Sequence, residues 1–536
     1  MKLLLFQIIF FSVSTYALEC PKDDQSIPLC PTSGSTLLDD TYPVQSYVIS
    51  DSGIIKDSKT SAAVPLDFIS NIVDSYSENN YDRLPQMIFS TKNESDYMAL
   101  KNQLSEKLKS KNIPESTITK ILGQVTFRSA KSYTWQQDYF ESFFNPITGK
   151  PVLRKVAGYD KKMHVNTGKL EDLTAAGQAC GISTGEPLEE DPNSESISGE
   201  MGGNIDGAPG GFCLVGDNQG NDYTKSFCKS DDNIIQLNVS WLSVGHVDEL
   251  FKIIPTNIND GRPKECQFSL MAASPNKALE LMKSPKYGKE NIFSSDDKVA
   301  TENLDNYFLR KPSPKTEEMF CKTLKDIKEI KRSAPAAKPA ESIRSVFMRT
   351  FSFLFPETLA EDKLVVKETP DSCELGVKNT SNYDYANGLS NNKDFMTLNN
   401  TIQDSIDSDK AKIKENILSR LPQCKAYYDK SVLDVPNIFM SSGGRPTEEN
   451  PQTGKQELRK ELGIVDSVYP NPSNSVVMNK TILFPDPENK AFSGYLSDEM
   501  KKRGMTYKSI TTWDYAHLGD GNIHCSSHSL NHCRVK

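Results

Sequence analysis

Short apolar runs alternate with helical repeats along most of this chain, and that alternation limits the folds open to it. ESDYMALKNQLSEKLKSKN carries apolar residues at helical spacing, and ILGQVTFRSA leaves it as a strand. Further on, NIIQLNVSWLSV alternates as a half-buried strand, CQFSLMAA reads as another, and the helix-like NKALELMKS follows. A chain that switches so often between the two periods must pack helices on short strands, which predicts an α/β domain. The stretch 196–222, SISGEMGGNIDGAPGGFCLVGDNQGN, reads as glycine-rich loop around a short strand. Residues 285–395 differ in texture, with charge clusters, the linker-like KRSAPAAKPAES and the aromatic run SVFMRTFSFLFP. They are read as an insertion in one large domain, with the aromatic run docked on the core as a helix. Order returns at IKENILSRL, LDVPNIFM and YPNPSNSVVMNKTILFP.

The first residues address the protein. Lys2 precedes LLLFQIIFFSV, and Thr15 and Ala17 close the segment with small residues, as in a secretory signal peptide over 1–17. That run is too short to span a bilayer, and no later one approaches the length. The expectation is an exported protein, extracellular or, in a Gram-negative host, periplasmic. Residues 18–63 read as a polar N-terminal extension and 64–536 as one large domain. Export makes disulfides the expected state of the eleven cysteines, with one left over. Cys20 and Cys30 are close enough in sequence to close a small loop, and no CxxC pair has zinc spacing. A net charge of −9 argues against a nucleic-acid partner. Five sequons, at Asn93, Asn238, Asn379, Asn399 and Asn479, are glycan acceptors only in a eukaryotic host.

Three stretches could carry chemistry. YTWQQDYFES holds Asp138 and Glu141, WLSVGHVDEL holds His246 and Asp248, and GDGNIHCSSH holds Cys525. Each has a plain alternative: Asp138 caps a helix, His246 is structural, Cys525 pairs with Cys533, or His517, His524, His528 and His532 hold a metal. Taken together they suggest more. A cysteine and a histidine suffice for nucleophilic catalysis with proton transfer. Two further carboxylates exceed what a protease needs, but they suit a planar cation held by bidentate hydrogen bonds. His246 and Asp248, two apart on a strand, would project to one side.

These motifs resemble the catalytic domain of the calcium-dependent peptidylarginine deiminases. WLSVGHVDE is similar to that family's histidine motif, TWQQDYFES to its Trp-x-Gln-Asp-x-x-Glu segment, and GGNIDGAP to its Gly-Asn-Leu-Glu loop. MAASPNKALELM, LDVPNIFM, YPNPSNS and GNIHC follow in the family's order. The resemblance implies a five-bladed α/β propeller with a large insertion, and conversion of peptidyl-arginine to peptidyl-citrulline. It implies Cys525 as nucleophile, His246 as general acid/base, Asp138 and Asp248 as guanidinium ligands, and Trp135 along the substrate's aliphatic stem. Arg154 is a candidate for gripping the substrate backbone. It also implies calcium, held by Gln137, Glu141 and Asp206 with the carbonyls of Gly202 and Ile205, oxygen donors that suit a hard cation. The partners would be arginine-containing proteins or peptides. Two other readings stand beside it: a deiminase or amidinotransferase acting on free arginine or agmatine, and a secreted binding protein that keeps the fold with Cys525 in a disulfide.

Overall fold

The computed structural model describes residues 28–51, 63–77, 84–91, 94–129, 134–149, 151–155, 183–184, 201–218, 228–292, 381–441, 446–459, 465–513, 515–517 and 520–535. The signal segment, the aromatic run Ser345–Pro356, and Cys20, Cys180, Cys321 and Cys373 lie outside them, as do the sequons at Asn93 and Asn379.

Strands β1 (Val44–Ser50), β2 (Gln86–Thr91) and β3 (Val125–Ser129) run parallel, β1 pairing with β2 and β2 with β3. Parallel neighbours need crossover connections. Helix α1 (Ala63–Tyr76) supplies the first, and α2 (Glu94–Ser110) with α3 (Glu115–Gln124) the second. The α3 helix takes Ile121–Gln124, so the expected strand ILGQVTFRSA begins only at Val125. Three sheets follow in which an antiparallel pair is extended by a parallel strand. They are β4 (Phe140–Phe144), β5 (Pro151–Lys155) and β6 (Ser183–Thr184); then β7 (Ile205–Ala208), β8 (Phe212–Gly216) and β9 (Ile234–Leu237); then β10 (Phe251–Pro255), β11 (Phe268–Ser274) and β12 (Val432–Pro436). Two small ladders join β13 (Phe439–Ser441) to β16 (Val465–Ser467) and β14 (Thr447–Glu449) to β15 (Gln456–Leu458). The same three-stranded pattern returns in β17 (Val476–Met478), β18 (Thr481–Pro485) and β19 (Thr506–Ile510). The last strand, β20 (Ser527–Asn531), runs antiparallel on β1 and gives the first sheet that pattern too. The fold is mixed α/β.

The expected N-terminal extension 18–63 does not describe residues 44–50. β1 is buried along its whole length and is an inner strand of the first sheet. Its VQSYVIS lacks alternation because both faces are covered.

Among the described residues, four helices lie between β11 and β12: α4 (Pro275–Lys283), α5 (Asn382–Asn391), α6 (Lys393–Arg420) and α7 (Lys425–Ser431); α8 (Lys490–Lys502) connects β18 to β19. Asn392 caps α6 by accepting the N–H groups of Asp394 and Phe395, and the helix ends just before Pro422. Phe395, Leu398, Ile402, Ile406, Ile413 and Ile417 form its buried stripe. Each such side chain contributes roughly 1.5–3 kcal/mol on burial. Arg420 then ties the helix end to the glycine loop, donating to the Gly210 and Gly211 carbonyls and stacking 3.8 Å from the Phe212 ring. Asn399 is 1% exposed in this interface, which rules that sequon out as a glycan acceptor.

Apolar clusters link the sheets in succession. Phe143 packs with Ile205 and Val215, Leu214 with Phe251 and Leu270, Met271 with Ile482 and Phe484, and Leu483 with Val44 and Tyr47. Among the described residues, cysteines fasten three places: Cys30–Cys533, Cys213–Cys228 and Cys266–Cys424. Cys30 therefore joins the C-terminal segment and does not close a small loop with Cys20. Among the described residues no helix is long and apolar enough to cross a membrane.

Candidate active site

Cys525 sits in the turn Asn522–Ser526, directly before β20, and most of the SSHSLNH that follows it is strand. Asn474 builds that turn. Its side-chain oxygen accepts the N–H groups of His524 (3.0 Å) and Cys525 (3.2 Å), and its nitrogen donates to the Cys525 sulfur (3.0 Å). Cys525 is 4% exposed and is the free cysteine of the described residues. Its expected competitor Cys533 is taken by Cys30.

His246 and Asp248 do not lie on a strand. The strand stops at Leu237, Gly245 turns the chain at φ 77°, and Val247–Glu249 forms a single 3-10 turn. His246 precedes that turn and Asp248 is inside it, which brings both to one place by curvature instead of pleat. The Glu249 carboxylate accepts the His246 N–H at 3.0 Å and holds the turn shut. A second 3-10 turn, Gln137–Tyr139, carries Asp138 to 3.9 Å from His246 Nδ1. A third, Gly202–Asn204, packs between them. A Cβ on Gly203 would fall 2.5 Å from His246 Nδ1, so only glycine allows this approach. Trp135 lies against Gly521 in the same way, a Cβ there falling 2.2 Å from the indole.

The resulting site is buried and rich in carboxylates. Burial and the charge of Asp248 push the Asp138 carboxyl well above its usual range, against a hydrogen bond from the Gly203 N–H. Burial acts the same way on Asp248, but the hydrogen bond from His524 and the charge of Lys252 outweigh it and hold that carboxyl low. Asp138 Oδ1 and Asp248 Oδ1 are both buried without a hydrogen-bond partner, an arrangement native interiors seldom tolerate outside functional sites. The Cys525 thiol donates to Asp248 Oδ2 at 3.3 Å. Burial, then the charges of Asp248, Asp138 and Glu249, hold its pKa well above the ordinary thiol value.

A thiol activated by a neighbouring imidazolium would behave in the opposite way, which makes a prediction. Inactivation by neutral iodoacetamide should be slow at pH 7 and still rising above pH 9, because burial and the neighbouring carboxylates keep thiolate scarce. A haloacetamidine carries its own charge between the carboxylates and should react quickly at neutral pH. Equal rates for the two reagents at pH 7 would refute this electrostatic picture.

Behind Asp248 lies a buried lysine that the motifs did not signal. Lys252 Nζ is 2.5 Å from Asp40 Oδ2, 3.5 Å from Asp206 Oδ2 and 2.7 Å from His524 Nε2. His524 Nδ1 is in turn 2.7 Å from Asp248 Oδ2. Burial works against the charged lysine, but Asp206 and Asp40 outweigh it and raise its pKa.

The residues expected to hold calcium meet here in part. Gln137, Glu141 and Gly202 adjoin, a Cβ on Gly202 falling 2.6 Å from Glu141 Oε1. Their donors are otherwise engaged. The Gln137 amide gives its nitrogen to Glu141 (3.2 Å), and its oxygen is 2.7 Å from His528 Nδ1. The Gly202 carbonyl accepts the Ile205 N–H, and Asp206 faces Lys252. Among the described residues no group of three or more His, Cys, Asp or Glu side chains is arranged to hold a metal. As arranged, these residues do not fit a calcium ion.

The four histidines near Cys525 do not form a cluster. His524 serves Asp248, His528 faces Gln137, His532 lies 3.0 Å from the Pro43 carbonyl, and His517 packs on Trp513. Arg154 stands opposite Glu141 in the β4–β5 ladder, and its side chain lies outside the described parts.

The protein-arginine deiminase family model matches residues 221–334 and 360–536, more than half of the chain. The chain belongs to the protein-arginine deiminase family. No curated protein matches it. Among solved structures, the C. jejuni agmatine deiminase is 10% identical with a TM-score of 0.38, covering 93% of this chain and 96% of that one. A protein provisionally described as a peptidyl-arginine deiminase is 10% identical with a TM-score of 0.40, covering 92% and 98%. The agmatine deiminase of Enterococcus faecalis is 9% identical with a TM-score of 0.37, covering 94% and 98%. Likeness at this level bears on neither substrate nor mechanism.

Proposed function

We propose that this protein is an exported protein-arginine deiminase that converts peptidyl-arginine to peptidyl-citrulline and ammonia. The observation that carries the reading is the pair of partnerless carboxylate oxygens, on Asp138 and Asp248, beside the buried thiol of Cys525. A guanidinium offers a planar fork of donors that would satisfy both, and its charge would neutralise the repulsion that holds the thiol protonated.

The steps follow from that placement. As the cation enters, the Cys525 proton passes to His246 and the sulfur bonds to the guanidinium carbon, the carbon–nitrogen π pair moving onto nitrogen. The carbon–nitrogen bond breaks, His246 donates a proton, and ammonia leaves. His246 then takes one proton from water, whose oxygen bonds to the same carbon; the carbon–sulfur bond breaks, the hydroxyl proton returns to sulfur, and the ureido group of citrulline is left. Asp138 and Asp248 stabilise the cationic thiouronium throughout. Trp135 lies along the aliphatic stem, and Arg154 is proposed to hold the peptide backbone. Five sheets of one pattern, joined in succession by apolar clusters, support a five-bladed propeller over residues 64–536, completed by β1 and interrupted by the insertion at about 285–395. The three disulfides among the described residues support export.

One observation favours a second reading, deimination of free arginine or agmatine. A pocket beside the turn of Cys525 is lined by Glu249, Asp466, Asn474, His517 and Asp520, and its carboxylates suit the free ammonium of a small substrate. Citrulline formation from an arginine residue blocked at both ends, compared with free arginine and agmatine, separates the two. The proposal expects kcat/KM to favour the blocked residue; turnover of agmatine alone would overturn it. The binding-protein reading required a disulfide at Cys525, whose nearest candidate partner is already used.

A further inference from the structure

We propose that Lys252 is a built-in counter-cation that takes the place of a metal ion beside the active site, so that this protein works without calcium. Its side chain is 1% exposed, and a buried ammonium persists only where it is paired and fully hydrogen-bonded. Its partners come from distant parts of the chain: Asp40 from the segment before β1, Asp206 from β7 and His524 from the nucleophile turn. The ammonium therefore clamps three separate pieces of chain, as a bound cation would. An ion brought to the same acidic groups would have to expel it, or share their carboxylates with a like charge.

Lys252 also sets a tautomer. An ammonium has only donors, so its 2.7 Å contact makes His524 Nε2 an acceptor and leaves the imidazole proton on Nδ1. That proton is donated to Asp248 Oδ2 at 2.7 Å. One line of hydrogen bonds thus runs from Lys252 through His524 to the carboxylate beside the Cys525 sulfur. Lys252 is a positioning residue: it touches no reacting atom and acts through Asp248. This last step rests on the proposed function; the charge pairing does not.

The test uses the full-length protein, stripped with a chelator and titrated with calcium chloride, and reads calcium uptake, Tm and citrulline formation. Wild-type protein should take up no stoichiometric calcium, keep its Tm and keep its kcat. Lys252→Ser should lose about 10²-fold in kcat, with a smaller change in KM, and Lys252→Arg should restore part of it by returning the charge. One calcium bound per wild-type chain with a rise in Tm would overturn the proposal, as would full calcium-free activity of Lys252→Ser. If Lys252→Ser does not fold, the wild-type titration decides alone. A wild-type protein that makes no citrulline would defeat the enzymatic reading instead, whatever its response to calcium.

Discussion

Cys525→Ala is expected to lower citrulline formation by about 10⁴-fold or more, with Tm close to that of the wild type. The size of the loss follows from the route. Without sulfur, water must attack a resonance-stabilised cation directly, and the carboxylates that bind the substrate do nothing to supply a nucleophile. The stability expectation follows from the surroundings. Removing the thiol costs the Asn474 contact at 3.0 Å, a hydrogen bond worth about 1 kcal/mol, and relieves Asp248 of a poor donor. Asn474 still holds the turn through the N–H groups of His524 and Cys525, which the substitution leaves in place. A large fall in Tm would mean that Cys525 is structural.

Asp248→Asn carries the second largest effect, and it acts in two directions at once. The carboxylate accepts from His524 and from the Cys525 thiol, and its other oxygen has no partner. Asparagine keeps the shape and removes the charge, so kcat/KM should fall by about 10³–10⁴-fold through loss of transition-state pairing with the cation. The same change removes the largest charge that holds the thiol protonated, second only to burial. Labelling of Cys525 by neutral iodoacetamide should therefore become faster while turnover collapses. A variant slower in both would show that the substitution has merely disordered the site.

The motifs around Trp135, His246 and Cys525 were legible because each keeps its chemistry within ten residues of chain. What the sequence concealed depends on contacts between segments far apart. Lys252 stands in FKIIP, where one charge in an apolar run looks like a strand's solvent side; only Asp40, Asp206 and His524 make it a buried cation. Asp40 itself lay in a stretch read as an extension, because a strand covered on both faces shows no alternation. Cys30 and Cys533 are 503 residues apart, a pairing that no spacing rule reaches. Asn474 was visible only as part of YPNPSNS, since an amide that shapes a turn 50 residues away leaves no local mark. The 3-10 turn at Val247–Glu249 reads as strand in the sequence because Val244 and Val247 favour extended backbone, while Gly245 and the Glu249 hydrogen bond decide against it.

The central claim is that the Cys525 sulfur bonds covalently to the guanidinium carbon. It is tested most directly by acid-quenching the protein during turnover of a blocked arginine and measuring its intact mass, followed by peptide mapping. The account predicts a fraction of chains heavier by the substrate less ammonia, with the adduct on Cys525, enriched in His246→Ala and absent from Cys525→Ala. Steady citrulline formation by Cys525→Ala, or an adduct mapped to any other residue, would contradict it.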